Sequence, residues 1–238
     1  SALRTFPIGI PSLMSSSLGM STPFGAAIVI ESTSLFGIVF TLVSFVVGGL
    51  TIGSLYFTGV ARVSLVEKKG FSGGLIIAHV IQTFILTFAL FLILVAIAIP
   101  SLLILTILGM IAPGLAQLGG LIMVFFILWL ILPLIFSPHG IFGAGLNAFS
   151  SLYTSVRLVR FFLPGAGTFV VVSLVLNEGL NILWHVPDQA SWMILVGILG
   201  HGFIATSLLS ASFAYYQGGM RWMSENLARL MKTETKTA

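Results

Sequence analysis

The chain has no cysteine at all, so a disulfide framework, a thiolate nucleophile and a Cys-bearing metal site are excluded from the outset. Charge is almost as scarce. Only 7% of the 238 residues are Asp, Glu, Lys or Arg, with six acidic residues and four histidines in total. Such a chain has too little polar surface to face water as a folded domain of this size. It carries no basic, aromatic-interleaved patch of the kind that binds nucleic acid. No Walker loop, dinucleotide fingerprint after a strand, HExxH or CxxCH sequence occurs, and no Ser-His-Asp arrangement has a supporting context. An enzyme is not expected, no catalytic residue is assigned, and no metal site is expected.

What is present is apolar length. Hydrophobic residues make up 58% of the chain and aromatics 12%, and the mean hydropathy is +1.16. A hydrocarbon core about 30 Å thick needs about 20 apolar helical residues. Five runs meet that length, at residues 35–60, 73–99, 118–136, 162–186 and 190–216. The expected fold is all-α: a polytopic integral membrane helical bundle forming a single transmembrane domain over 35–216. Between the second and third runs lies SLLILTILGMIAPGLAQ, apolar but interrupted by Pro100, Pro113 and Gly114. Residues 101–136 are too few for two spans and a turn, so 101–117 is expected to be re-entrant or interfacial.

With five spans, the basic residues sort by side. Arg62, Lys68 and Lys69 follow the first span, Arg157 and Arg160 precede the fourth, and Arg221, Arg229, Lys232 and Lys236 follow the fifth. Only Arg4 falls on the other side. The positive-inside rule makes the arginine-rich side cytoplasmic. Residues 217–238 then form a cytoplasmic tail, and residues 1–34 an outer segment, together with the HVPDQAS connection. Residues 1–34 lack the charged start and continuous apolar core of a secretory signal. The chain begins at Ser1, and a sixth span upstream would account for an outward N-terminus. The expected location is a prokaryotic inner membrane.

In HGIFGAGLNAFSSLYTSVRLVRFF, Phe142, Leu146, Phe149, Tyr153 and Val156 recur at four- and three-residue steps, with Asn147, Ser151, Thr154 and Arg157 elsewhere around the helix. This predicts one amphipathic helix over 139–161, lying in the cytoplasmic interface.

The stretches GSLYFTGVARVSLVEKKGFS, PLIFSPHGIFGAGLNAFSSLYTSVRLVRFFLPGAGTF and GHGFIATSLLSASFAYYQGGMRWM share a layout. A short charged turn follows a span, a Ser- and Arg-bearing helix precedes the next, and a last span ends in Tyr-Tyr and Arg-Trp. Over about residues 50–223 this layout resembles an uncharacterised prokaryotic multi-span family related to the membrane domain of some glycerophosphoryl diester phosphodiesterases. The resemblance implies six spans and, because the soluble phosphodiesterase barrel is missing from this chain, no inherited activity.

Functional residues are then sought among polar groups inside the spans. Glu178, Asn181 and His185 lie at i, i+3 and i+7, one face of the fourth span. Glu178 is about 13 Å, and His201 about 16 Å, below the outer ends of their spans at 1.5 Å per residue. A short connection makes the two spans antiparallel, so Glu178, Asn181, His185 and His201 are expected to form an intramembrane polar cluster with Glu178 neutral or closely paired. A carboxylate and an imidazole at that depth serve either as interhelical glue or as part of a proton or ion path. The glycines flanking His201 leave room for a flat macrocycle, which makes His201 the candidate ligand of haem or a chlorophyll-type pigment. The alternative is close helix packing, because Gly202, Thr206 and Ser210 continue a small-residue stripe, and Gly49 with Gly53 forms a second GxxxG.

The function expected from these residues is that of a non-enzymatic accessory or scaffold subunit packing against other membrane helices and lipids, without a cofactor. A small-solute or ion transporter and a pigment- or haem-binding subunit are the two alternatives.

Overall fold

A computed structural model describes residues 21–22, 25–26, 34–65, 72–184, 186 and 191–237. Seven α-helices run in chain order among them: α1 Leu35–Ser64, α2 Gly73–Ile111, α3 Pro113–Ile131, α4 Ser137–Ala144, α5 Ala148–Phe161, α6 Leu163–Trp184 and α7 Ile194–Thr237. A two-residue antiparallel pairing, Ser21–Thr22 with Gly25–Ala26, is the one sheet element among the described residues. The rest of the expected outer segment lies outside the described residues, as does most of HVPDQAS.

The all-α expectation holds, and five helical stretches are long and apolar enough to cross a membrane. The protein is an integral membrane protein. Helix is the form these residues take because hydrocarbon offers no water to the backbone, so every N–H and C=O must be satisfied within its own segment. That requirement overrides the weak helix propensity that Val and Ile show in water.

The piece expected at 101–117 is corrected. Helix α2 passes through Pro100 and continues to Ile111, 39 residues in all, a length of about 58 Å. An internal proline removes one N–H and leaves one carbonyl without its usual partner. Next to it Ser101 donates its hydroxyl to the Ile97 carbonyl at 2.6 Å, a bond to its own preceding turn of the kind that bends a helix. The break comes instead at Ala112, whose φ of −160° and ψ of 131° are extended. A residue before proline is pushed out of the helical region, and Pro113 then sits at the first position of α3. Helices α2 and α3 fold back on one another as an antiparallel hairpin. A methyl group on Gly109 would rest on Ala116 at 3.6 Å, one on Gly119 would meet Leu108 at 2.7 Å, and Ser101 reaches Met123 at 3.1 Å.

The single helix expected over 139–161 is also corrected. It is two helices, α4 and α5, separated at Gly145, whose φ of 66° is left-handed. Only glycine adopts that conformation without a Cβ penalty. Its N–H returns to the Ile141 carbonyl, and the Leu146 N–H to that of Gly140. Asn147 then caps α5, accepting the Ser150 N–H at 2.8 Å, while Gln82 of α2 accepts the Ala148 N–H at 2.8 Å. Two of the four free N–H groups of a new helix are thereby satisfied.

The inner face of α5 is its Ala- and Ser-bearing side. Ala148, Ser151, Ser155, Leu158 and Val159 are buried. Phe149 and Tyr153, at 68% and 70% exposure, point the other way. Small side chains allow close approach in a membrane interior, so the serines take the inner face and the aromatics the outer one.

Helix α7 continues without a break through the expected 217–238 tail to Thr237. The chain divides into two compact units. The first comprises residues up to Val80 with Pro164–Gln217, and the second Ile81–Leu163 with Gly218 onward.

Candidate functional site

In the first unit, the buried polar groups join α1 to α2 and α7. Thr58 and His79 meet at 3.0 Å between Oγ1 and Nδ1. Tyr56 and Thr206 meet at 2.7 Å, and Ser64 and Ser210 at 2.7 Å. One rule sets the direction of all three bonds. A helical Ser or Thr hydroxyl in hydrocarbon donates to the carbonyl four residues back, and a hydroxyl has only one proton. Thr58 donates to the Ser54 carbonyl at 2.7 Å, Ser64 to that of Val60 at 2.7 Å, and Thr206 to that of Gly202 at 2.6 Å. Each of these oxygens is therefore left as an acceptor. The partner must donate: His79 through Nδ1–H, Tyr56 through its phenol, and Ser210 through its hydroxyl.

This fixes the proton of His79 on Nδ1. Arg62, one turn beyond Thr58 on α1, lies within electrostatic reach of the same ring. Phe57 and Phe213 close the α1–α7 contact edge to face, 6.1 Å between ring centroids. Residue numbers rise together along the Tyr56–Thr206 and Ser64–Ser210 bonds, so α1 and α7 run parallel.

In the second unit the hydroxyls act as donors. Behind α3 a 3-10 turn at Leu132–Leu134 and the start of α4 break the helical ladder. Ser155 donates to the Pro133 carbonyl at 2.6 Å, and Ser151 donates to that of Ser137. Ser137, Ser151 and Ser155 are all fully buried. His139 is buried beside them with its ring edge on Phe136, 5.3 Å between centroids.

Of the four residues expected to form the intramembrane cluster, two have described side chains. Glu178 is half-buried on α6 and His201 is buried on α7. The side chain of Asn181 and the whole of His185 lie outside the described residues. Phe169 of α6 stacks on Tyr215 of α7, 4.5 Å between centroids. Among the described residues no group of three His, Asp or Glu is placed to hold a metal ion.

The small-residue stripe is engaged at Thr206 and Ser210, through hydrogen bonds to α1. A methyl group on Gly202 would meet nothing within 4 Å, and neither would one on Gly49, whereas Gly53 is buried. Packing within the first unit therefore rests on the hydroxyls of the stripe, and Gly202 faces open space next to the buried His201.

Sequence reading missed the Thr58–His79 pair and the Ser151 and Ser155 donors. The available signal was spacing: Ser54 and Thr58, and Ser151 and Ser155, each repeat a small hydroxyl at four residues, which places both on one helix face. Comparison with protein-family models, curated proteins and solved structures gives no match to this chain.

Proposed function

We propose that the protein is a non-enzymatic accessory or scaffold subunit of a larger membrane assembly. The observation that carries this reading is α3, in which no residue is buried. Leu121, Ile122, Val124, Phe125, Phe126, Leu128 and Trp129 are exposed and cover the side of the helix opposite the half-buried Met123, Ile127 and Leu130. Beyond its hairpin with α2, such a helix offers its surface to lipid and to the helices of other subunits. Association in a membrane comes from side-chain packing and interhelical hydrogen bonds rather than from a hydrophobic driving force. The polar side chains support the same reading, since Thr58, Ser64 and Thr206 in the first unit and Ser151 and Ser155 in the second hold helices together. The carbonyls at the α3–α4 break, which a transporter would turn toward its cargo, are taken by Ser151 and Ser155.

The proposed orientation places the α1–α2 turn, α5 and the end of α7 in the cytoplasm of a prokaryotic cell, on the basis of the basic residues. Parallel α1 and α7 support it, because first and fifth spans cross in the same direction. The test is solubilisation from native membranes in mild detergent, followed by native-gel size and an absorption spectrum. The expected result is a particle well above the 25.4 kDa of one chain with no visible-range band. A lone chain competent for solute uptake after reconstitution overturns the reading, and a Soret or chlorin band assigns His201 to a cofactor instead. Ser191→Cys is expected to react with an impermeant thiol reagent on intact cells, and labelling only after lysis reverses the orientation.

A further inference from the structure

In the second unit the outer side of α5 changes character along its length. Phe149, Tyr153, Arg157 and Arg160 follow one another at four-, four- and three-residue steps, a continuous stripe opposite the buried serine face. The guanidinium of Arg157 lies over the Phe161 ring, 5.9 Å from its centroid. At the end of the helix Phe162 packs against Trp222 of α7, 5.4 Å between centroids. That contact sets the half-exposed Trp222 beside the end of α5. Neither Arg157 nor Arg160 is held by a carboxylate among the described residues.

We infer that this patch binds the phosphate headgroup of an anionic phospholipid, with Arg157 and Arg160 as its cationic contacts and Tyr153, Phe162 and Trp222 as its apolar frame. The occupant follows from the surroundings. The helices of the same unit are apolar enough to span a bilayer, so exposed aromatics beside them meet lipid rather than water. Tyr and Trp settle at headgroup level with the ring body in the acyl region. Guanidinium presents paired N–H donors that match phosphate oxygens, and arginines at an anionic leaflet are drawn to it. The inference does not depend on the accessory role.

The full chain, purified in detergent and supplied with equimolar phosphatidylglycerol and phosphatidylcholine, is read by native mass spectrometry of retained lipid. Retention of phosphatidylglycerol over phosphatidylcholine is expected at about fivefold for each arginine engaged. The double variant Arg157→Gln with Arg160→Gln should lose that preference about tenfold or more, while Arg157→Lys with Arg160→Lys, melting like the parent, should keep most of it. Equal retention of the two lipids by the parent chain overturns the inference. So does a preference unchanged in the Gln variant. Displacement of the retained lipid by millimolar inorganic phosphate would also overturn it, by showing a site for the free ion.

Discussion

The hydroxyl groups of the two units carry out opposite tasks, and the difference follows from whether the helix ladder is whole. In the first unit the helices are unbroken where they meet. Thr58, Ser64 and Thr206 each direct their proton to their own preceding turn, and so become acceptors that need a donor from a neighbouring helix. In the second unit the 3-10 turn and α4 interrupt the ladder and leave carbonyls that must be satisfied away from water. Ser151 and Ser155 meet that need as donors. Serine and threonine are therefore not interchangeable glue: a hydroxyl whose proton is spent on its own preceding turn receives the interhelical hydrogen bond, and one whose proton is not, such as Ser210, Ser151 or Ser155, gives it.

The largest expected effect tests the broken region. Ser151→Val removes the donor to the Ser137 carbonyl and places a larger side chain at a fully buried position, for a loss of about 3 kcal/mol. Reversible unfolding by SDS in bicelles would measure it, and a variant as stable as the parent would show that the break needs no donor. Next comes Thr58→Val, which keeps the shape but removes the acceptor for His79 Nδ1–H, at a cost of about 1–2 kcal/mol. Thr58→Ser retains both bonds and is expected to unfold almost as the parent does. If Val and Ser behave alike, the Thr58–His79 bond contributes nothing to stability.

The smallest effect separates the hydroxyl stripe from its glycine. Ser210→Ala is expected to lose about 0.6 kcal/mol, the average for an interhelical hydrogen bond in a membrane. Gly202→Ala, whose added methyl meets nothing within 4 Å among the described residues, should leave unfolding unchanged. A marked loss for the glycine variant in the purified chain would reverse the ranking.

Much of this was legible in residue order, and the parts that were not share one cause. Runs of Leu, Ile, Phe and Val long enough to cross hydrocarbon leave the backbone no option but helix, so the class and the five membrane-crossing stretches follow from composition and length. The positions of Pro100 and Pro113 were visible, yet their consequences differ. One proline sits inside a helix that continues past it, while the other begins a new helix after an extended residue. A proline's own chemistry does not choose between those outcomes; the packing of α3 back against α2 does.

The amphipathic stripe of α5 was visible too, but not which side faces inward. In water the aromatics would be buried. In lipid, apolar surface has no reason to leave the exterior, and close packing selects the small serines for the inner face instead. The same holds for the polar groups. Their presence in the spans could be read residue by residue, whereas the partners of Thr58, Tyr56 and Ser64 lie 21, 150 and 146 positions away, and only the folded helices bring such distant residues within hydrogen-bonding range.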